Sequence, residues 1–507
     1  MLKDRCERSS MHGRGGAFLT APIESLLMKS LAILIDFGST FTKITAVDLG
    51  KSQVVGRSQA PSTVLTDVRE GFMQALQSLH ERFHVFPGRP SNLDMLEDHV
   101  VLASSSAAGG LRMAVIGLVP GLTVQAATQA ALGAGAKVVG SLGFKLDAKA
   151  MQDIAIMRPD MVLLTGGTDG GDAATISHNA SLLARSALSV PVVVAGNVAV
   201  ADAVCETLKN GGKEARRADN VMPRPGELAV ESAREEIRRV FMERITEAKG
   251  LDKIRATIPV VLPTPMAVLQ GVLLGAQGHD DVPGWGDMLV VDVGGATTDV
   301  HSIGYGYPGG ESTIAQGLSE PFAKRTVEGD LGIRFNAGTL LSRVGLDYLE
   351  KELREVFPAF AASSEDISEY IAGVSRATDR VPQKPWHAAV DALLSRVAVD
   401  IAVERHVGKR ERIVTREGEA WLHYGKDLRE TRTLIGTGGV FIHNPHASFI
   451  LQKGADAVAA FDVLRPKDPQ TFIDSSYLLY AVGLLAENYP AIAARIFHRH
   501  IRAVALE

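Results

Sequence analysis

Leu31–Ile35 is an uninterrupted apolar run that ends at Asp36 and Gly38, and Phe41–Asp48 follows as a second apolar-rich stretch. Short apolar runs bounded by turn residues read as buried strands, so the pattern predicts a hairpin whose turn is DFGST. A further strand is predicted over Ser52–Ser58 and a helix over Val68–Phe83. From Val100 the chain alternates apolar runs with alanine-rich stretches: VVLASSS, MAVIGLVP, a helix over Thr123–Leu132, MVLLTGG from Met161 and PVVVAGN from Pro191. Strand, helix, strand at that spacing predicts parallel βαβ units, here an inserted α/β subdomain at about residues 100–210.

Val230–Lys249 is charged with a helical period, and then the opening theme returns over Asp287–His301. LAILIDFGSTFTKITAV and MLVVDVGGATTDVHSI share an apolar strand, an aspartate, a glycine- and threonine-bearing turn and a second strand. This duplication predicts two related lobes: residues 29–277, carrying the insertion, and residues 286–474. Residues 348–408 read as mostly helical, 412–432 as a charged β segment and Leu434–Ile442 as a strand broken by glycines. Ser475–Asn488 reads as a final apolar helix within a C-terminal stretch, 475–507, that returns to the first lobe. Residues 1–28 are set aside as a leader, disordered or a misassigned start, because Met28 stands just before the first strand.

Composition narrows the class. A chain of 507 residues exceeds one ordinary hydrophobic core, and 46% hydrophobic with 22% charged residues is ordinary for soluble globular proteins. Only Cys6 and Cys205 occur, which argues against a disulfide framework and for a reducing compartment, the cytoplasm. A formal net charge of −5 without a long basic block implies no nucleic-acid partner. The longest apolar stretch, Ile258–Ala276, contains Pro259, Pro263 and Pro265 and makes a poor membrane span.

The two turns carry the candidate chemistry. In the first, Gly38 lets backbone approach an anion, Ser39 and Thr40 offer hydroxyl donors, Lys43 adds positive charge, and Asp36 is a hard oxygen ligand for magnesium through water. In the second, Gly294 and Gly295 open the backbone and Thr297 and Thr298 can donate to phosphate. Asp292 is placed to hold magnesium or orient the attacking water, and Asp299 to position that water or the loop. Neither turn matches the G-x-x-x-x-G-K-[ST] phosphate loop. No H-E-x-x-H or C-x-x-C pair and no G-x-S-x-G elbow occurs, so neither a zinc site nor acyl transfer is predicted. Thr165–Asp172 (TGGTDGGD) follows a predicted parallel strand, where α/β sheets place ligands; a contact with nucleotide or partner and a purely structural glycine loop both stand open. Glu328-Gly329-Asp330 is read as either a phosphate sensor or a surface turn.

The order of these elements resembles the actin, heat-shock chaperone and sugar-kinase superfamily. The likeness implies an α/β fold: a two-lobed actin-like ATPase with ribonuclease H-like duplicated lobes and an inserted α/β subdomain, binding ATP and Mg2+. Its adenosine loop is matched by Ile435–Val440, with Gly436, Gly438 and Gly439 laid against the nucleoside. Its two connecting helices are matched by Pro265–Ala276, which aligns Ala267, Gly271 and Gly275 on one face, and by the last helix with Ala481 and Gly483. SSSAAGGLRMAVIGLVP (104–120), ALGAGAKV (131–138), LLTGGTDGGD (163–172), TVEGDLGIR (326–334) and GTGGVFI (436–442) look like the GlmL/MutL family associated with glutamate mutase. That resemblance implies a reactivating chaperone that hydrolyses ATP to release damaged cobalamin from an adenosylcobalamin-dependent mutase; a homodimer is left open. Two alternatives use the same fold: a small-molecule kinase or a relative of the ATP-dependent hydantoinases and oxoprolinases, whose second loop DVGGATTDV also resembles, and a non-catalytic nucleotide-gated scaffold. No carboxylate base for a kinase is identifiable outside the two loops, which favours hydrolysis.

Overall fold

The computed structural model describes residues 30–63, 66–106, 111–245, 258, 260–306, 312–360, 362–455 and 462–504. The leader at 1–28 and the end of the helix expected to reach Lys249 lie outside the described residues.

The first sheet is built around β1 (Leu31–Phe37), with β2 (Phe41–Asp48) antiparallel to it and β3 (Gln53–Pro61) antiparallel to β2. Helix α1 (Val68–Phe83) covers one face; Asp67 caps it by accepting from the Arg69 backbone N–H, and His84 closes it in the left-handed region. On the other side of β1, β4 (Val100–Ser105) runs parallel to it. That strand opens the apolar alternation assigned to the insertion, but it belongs to the first lobe's sheet, because backbone pairing with β1, not apolar content, decides its neighbours.

The insertion proper follows as β5 (Arg112–Ile116), α2 (Gln125–Gly133), β6 (Lys137–Leu142), α3 (Ala148–Met157), β7 (Met161–Leu164), α4 (Ala174–Arg185), β8 (Val192–Val194), α5 (Ala201–Asn210), β9 (Ala215–Arg217) and α6 (Glu231–Ile245). Its strands are all parallel in the order β6-β5-β7-β8-β9, a doubly wound sheet. The chain then re-enters the first sheet as β10 (Val260–Pro263), parallel to β4.

Helix α7 (Thr264–Gln277) leaves β10 and leads, through the hairpin β11 (Gly278–His279) and β12 (Val282–Pro283), into the second lobe. There β13 (Met288–Val293) and β14 (Thr298–Ile303) repeat the first hairpin. Next come β15 (Thr313–Gln316) and β16 (Ala323–Glu328), then α8 (Ala337–Val344), α9 (Leu346–Val356), α10 (Ser364–Arg376) and α11 (Pro385–His406). The expected charged β segment is the antiparallel pair β17 (Lys409–Thr415) and β18 (Gly418–Tyr424), with β15 alongside. Strand β19 (Thr433–Thr437) leads through the short helices α12 (Gly439–His443) and α13 (Ala447–Leu451) to β20 (Gln470–Asp474). Helices α14 (Leu479–Leu485) and α15 (Pro490–His500) and strand β21 (Ile501–Ala503) end the described chain; β21 pairs with β20, so the last strand rejoins the second sheet.

The two main sheets have one topology. The order β3-β2-β1-β4-β10 in the first is matched by β16-β14-β13-β19-β20 in the second, with the same parallel and antiparallel senses. Each last strand feeds a connecting helix, α7 or α14. Side-chain alternation along the central strands sorts their residues between cores. Ile33, Ile35 and Phe37 face α1, whereas Ala32 and Leu34 face the apolar layer of α7 and α14 between the lobes. Leu289, Val291 and Val293 likewise enter the second lobe's own core, and Met288 and Val290 the shared layer. The period of two therefore delivers Asp36 and Asp292, next in each inter-lobe series, to the cleft at the end of that layer.

The connecting helices touch backbone to backbone. A Cβ on Gly483 would stand 1.7 Å from the Ala267 carbonyl oxygen, and one on Gly271 2.3 Å from the Leu479 carbonyl oxygen. Tyr480 reaches across to Thr45, with 3.0 Å between their hydroxyl oxygens, and donates to the Leu34 carbonyl at 3.3 Å. Among the described residues no helix is long and apolar enough to cross a membrane.

Candidate nucleotide site between the lobes

Both turns are drawn tight by the same hydrogen bond, from the Gly38 N–H to the Phe41 carbonyl (3.2 Å) and from the Gly294 N–H to the Thr297 carbonyl (2.9 Å). A Cβ on Gly38 would lie 2.5 Å from the Phe41 oxygen, which is why that position needs glycine. The turns meet across the cleft: a Cβ on Gly295 would be 3.4 Å from Thr40 Oγ1.

They line a cavity of about 720 Å³, a size typical of small-molecule sites. Asp36, Gly38, Ser39, Thr40, Lys43, Asp292, Gly294, Gly295, Thr297, Asp299, Gly438 and Gly439 all reach it. Two expected contacts do not. Thr298 alternates to the opposite face of β14 and donates to the Leu331 carbonyl at 2.7 Å, while Gly436 lies inside β19 against the Phe441 ring. Glu328 also stays outside, paired with Arg405, as does Asp330, so 328–330 is a turn on the lobe surface.

Asp36 is buried and fully partnered. Its Oδ1 accepts from Thr264 Oγ1 at 2.6 Å and Ser104 Oγ at 3.3 Å, and its Oδ2 lies 3.5 Å from Lys43 Nζ. The Lys43 ammonium also sits 3.4 Å from the centroid of the Tyr477 ring, a cation–π contact that holds it at the cleft wall. Asp292 lacks such support. Burial first, then the neighbouring Asp299 charge, push its carboxyl up to about 7, with Lys43 acting in the opposite direction. Asp299 is held by Arg325, whose Nε and Nη2 donate to Oδ1 at 2.9 and 2.6 Å, and by Thr297 Oγ1 on Oδ2 at 3.0 Å. Gly438 adopts φ +105°, letting backbone pass where a Cβ would be 2.9 Å from Asp292 Oδ1.

Asp36, paired with Lys43 on one turn, and Asp292 and Asp299 on the other reach the same cavity, an oxygen-rich setting that suits a divalent cation. Magnesium takes one or two carboxylates, several waters and phosphate oxygens. Asp36 and Asp292 would hold it, Asp36 through water because its oxygens are already engaged. Among the described residues no group of three or more His, Cys, Asp or Glu side chains is arranged to hold an ion by itself.

The other end of the cavity is formed by residues outside the two turns and the adenosine loop. Thr378–Pro385, between α10 and α11, brings Arg380 and Lys384, and Arg334, His443 and Asp391 complete the wall. Arg334 donates to buried Asp391 at 2.7 Å and lies along Gly295. Burial pushes the Asp391 carboxyl up, with Arg334 and the Tyr370 hydroxyl opposing. The available signal was the proline-bounded polar break TDRVPQKP between two helical runs.

The TGGTDGGD loop lies away from this cavity and is clamped from within. Asn197 accepts from the Gly170 and Ala199 N–H groups at 3.0 Å each and donates to the Gly171 and Asp172 carbonyls at 3.2 and 3.4 Å. Asn220 donates to the Gly167 carbonyl at 3.0 Å and to Asp169 Oδ1 at 2.8 Å. Asn197→Ala is expected to lower stability by about 2 kcal/mol, at roughly 1 kcal/mol per net bond with partial replacement by water, and to leave nucleotide affinity unchanged. Denaturant titration and nucleotide titration check the two halves, and a loss of affinity would bring the loop into the nucleotide site.

Duplicated lobes of this topology, closed by two glycine-bearing turns around one cleft, define the actin-like ATPase fold. The sequence model described as MutL protein matches residues 32–501, and the chain belongs to that family. Protein MutL of Clostridium tetanomorphum is 42% identical over 470 residues, covering 92% of this chain and 98% of that one. Among solved structures, gluconate kinase from Lactobacillus acidophilus aligns with 11% identity and a TM-score of 0.32 over 94% of this chain and 92% of its own. A glycerol dehydratase reactivase aligns with 10% identity and a TM-score of 0.32 over 90% and 99% respectively.

Proposed function

We propose that this protein binds ATP with Mg2+ in the inter-lobe cleft and hydrolyses it to reactivate an adenosylcobalamin-dependent mutase of the glutamate mutase type, releasing damaged cobalamin. The observation that carries the nucleotide half is the pair of facing turns that bring Asp36 from one lobe and Asp292 and Asp299 from the other to one cavity. The Ser39 and Gly295 N–H groups and the Thr40 hydroxyl are offered to the phosphates, while the Gly38 and Gly294 N–H groups and the Thr297 hydroxyl hold the turns in shape. Lys43 offsets the phosphate charge, and Gly438 and Gly439 lie along the nucleoside. When bound, magnesium neutralises charge on the β- and γ-phosphate oxygens. Asp292, and Asp299 held by Arg325, orient the water that attacks the γ-phosphorus. Membership of the MutL family supports the partner half, in the reducing cytoplasm where a free Cys205 is ordinary.

Because both connecting helices cross at the end of the cleft, nucleotide occupancy is coupled to the angle between lobes, and a partner that prefers one angle is remodelled as ATP turns over. Purified protein is expected to release phosphate from ATP in a magnesium-dependent way. With a mutase inactivated by turnover and fresh adenosylcobalamin, mutase activity is expected to recover only with ATP. Hydrolysis without recovery sinks the partner assignment, and absence of hydrolysis sinks the ATPase.

A further inference from the structure

The insertion is rooted in the first lobe, between β4 and β10, yet it also touches the second lobe at a buried charge. Arg325 on β16 is 4% exposed. One edge of its guanidinium donates to Asp299 Oδ1, from Nε at 2.9 Å and Nη2 at 2.6 Å. Its remaining nitrogen, Nη1, donates to the carbonyls of Leu132 and Ala136, at 3.2 and 3.0 Å, where α2 ends. The negative end of a helix and a carboxylate thus share one cation. Asp299 in turn accepts from Thr297, whose carbonyl closes the Gly294 turn. Nearby, Lys137 Nζ donates to the Gly329 carbonyl at 3.4 Å, so the contact extends along β16.

Resting on the ATP-binding reading above, we propose that Arg325 is a positioning residue that ties the second phosphate turn to the insertion, so that nucleotide occupancy of the cleft sets the order of the α2–β6 segment. The chain of contacts runs from Gly294 through Thr297, Asp299 and Arg325 to Leu132 and Ala136, with no solvent-exposed link at the guanidinium. When phosphates fix the Gly294 turn, Asp299 is fixed with it, and the guanidinium opens less often from the α2 carbonyls. The insertion thereby senses the nucleotide without lining its cavity. Lysine cannot replace this residue, because a single ammonium point charge does not span a carboxylate and two carbonyls on opposite edges.

Hydrogen exchange of the full-length protein with and without ATPγS and Mg2+ tests the coupling. In wild type, nucleotide is expected to slow exchange in 126–142 and in 294–299 by about 5-fold or more, the lower bound of ordinary coupling. In Arg325→Lys, nucleotide still binds and protects 294–299, but the response of 126–142 is lost. Asp299→Asn, which leaves the guanidinium on the α2 carbonyls, is expected to lose the same response and serves if the lysine variant fails to fold. Lys137→Ala, which removes only the neighbouring contact, keeps it. A wild-type response of 126–142 in both Arg325→Lys and Asp299→Asn overturns the proposal, as does nucleotide binding to wild type without any response there. Wild type that does not bind nucleotide overturns the ATP reading itself and this coupling with it.

Discussion

Asp292→Asn is expected to abolish magnesium-dependent ATP hydrolysis, a loss on the order of 100- to 1000-fold in kcat, while making the nucleotide-free protein more stable at pH 8. The stability half follows from the carboxyl being pushed up to about 7 by burial and by Asp299. The folded state holds this proton more tightly than the unfolded chain, in which aspartate titrates near 3.9. Its contribution is therefore full below about pH 4 and is lost as pH rises through 7, so the wild type bears an ionised, poorly solvated carboxylate at pH 8. Asparagine carries no such charge. The half-buried position limits the gain to about 1–2 kcal/mol, and the gap should close toward pH 5. Thermal unfolding at both pH values checks the sign. Adding ATP and Mg2+ should stabilise wild type and not the variant. Hydrolysis that persists in Asp292→Asn would remove the residue from the site. Asp36→Asn should differ, losing activity and stability together, because its carboxylate is already satisfied by Thr264, Ser104 and Lys43.

Gly483→Ala is expected to cost about 3 kcal/mol or more and to lower ATP hydrolysis with it, although the residue lies in the apolar layer and not in the cleft. The new methyl group would be placed 1.7 Å from the Ala267 carbonyl oxygen, and backbone cannot step aside as a flexible side chain can. The two helices must separate, and they carry β10 and β20, the strands that precede them, and the phosphate turns across the cleft. Gly271→Ala, aimed at the Leu479 carbonyl from the other helix, should act on the same contact, so the double variant should cost less than the sum. Denaturant unfolding with ATPase assays on both single variants and the double variant decides it. Wild-type stability in Gly483→Ala would mean that the helices do not cross as described.

Much of the cleft was legible along the chain because strand periodicity is local. The apolar runs before Asp36 and Asp292 specify buried strands, alternation specifies which face each aspartate takes, and the glycines that follow specify the turns. The same alternation could have excluded Thr298, one residue out of phase with Thr297 and Asp299, and Gly436, which lies within its strand. The small residues of α7 and α14 were readable for the same reason, since helical spacing puts Ala267, Gly271 and Gly275 on one face.

By itself, then, the sequence determined the duplicated hairpins, the insertion of βαβ units, the aspartates at the cleft and the helix faces that cross, all set by periods of two or of three to four residues. Only the tertiary structure decided what distant segments bring to those elements: β4 joining β1, the 378–385 loop closing the far wall, Tyr477 stacking on Lys43, and Arg325 joining Asp299 to the end of α2. These contacts depend on backbone pairing and on packing between segments far apart in the chain. No local pattern encodes such partners, because a side chain's neighbour across a fold is chosen by the whole chain's closure.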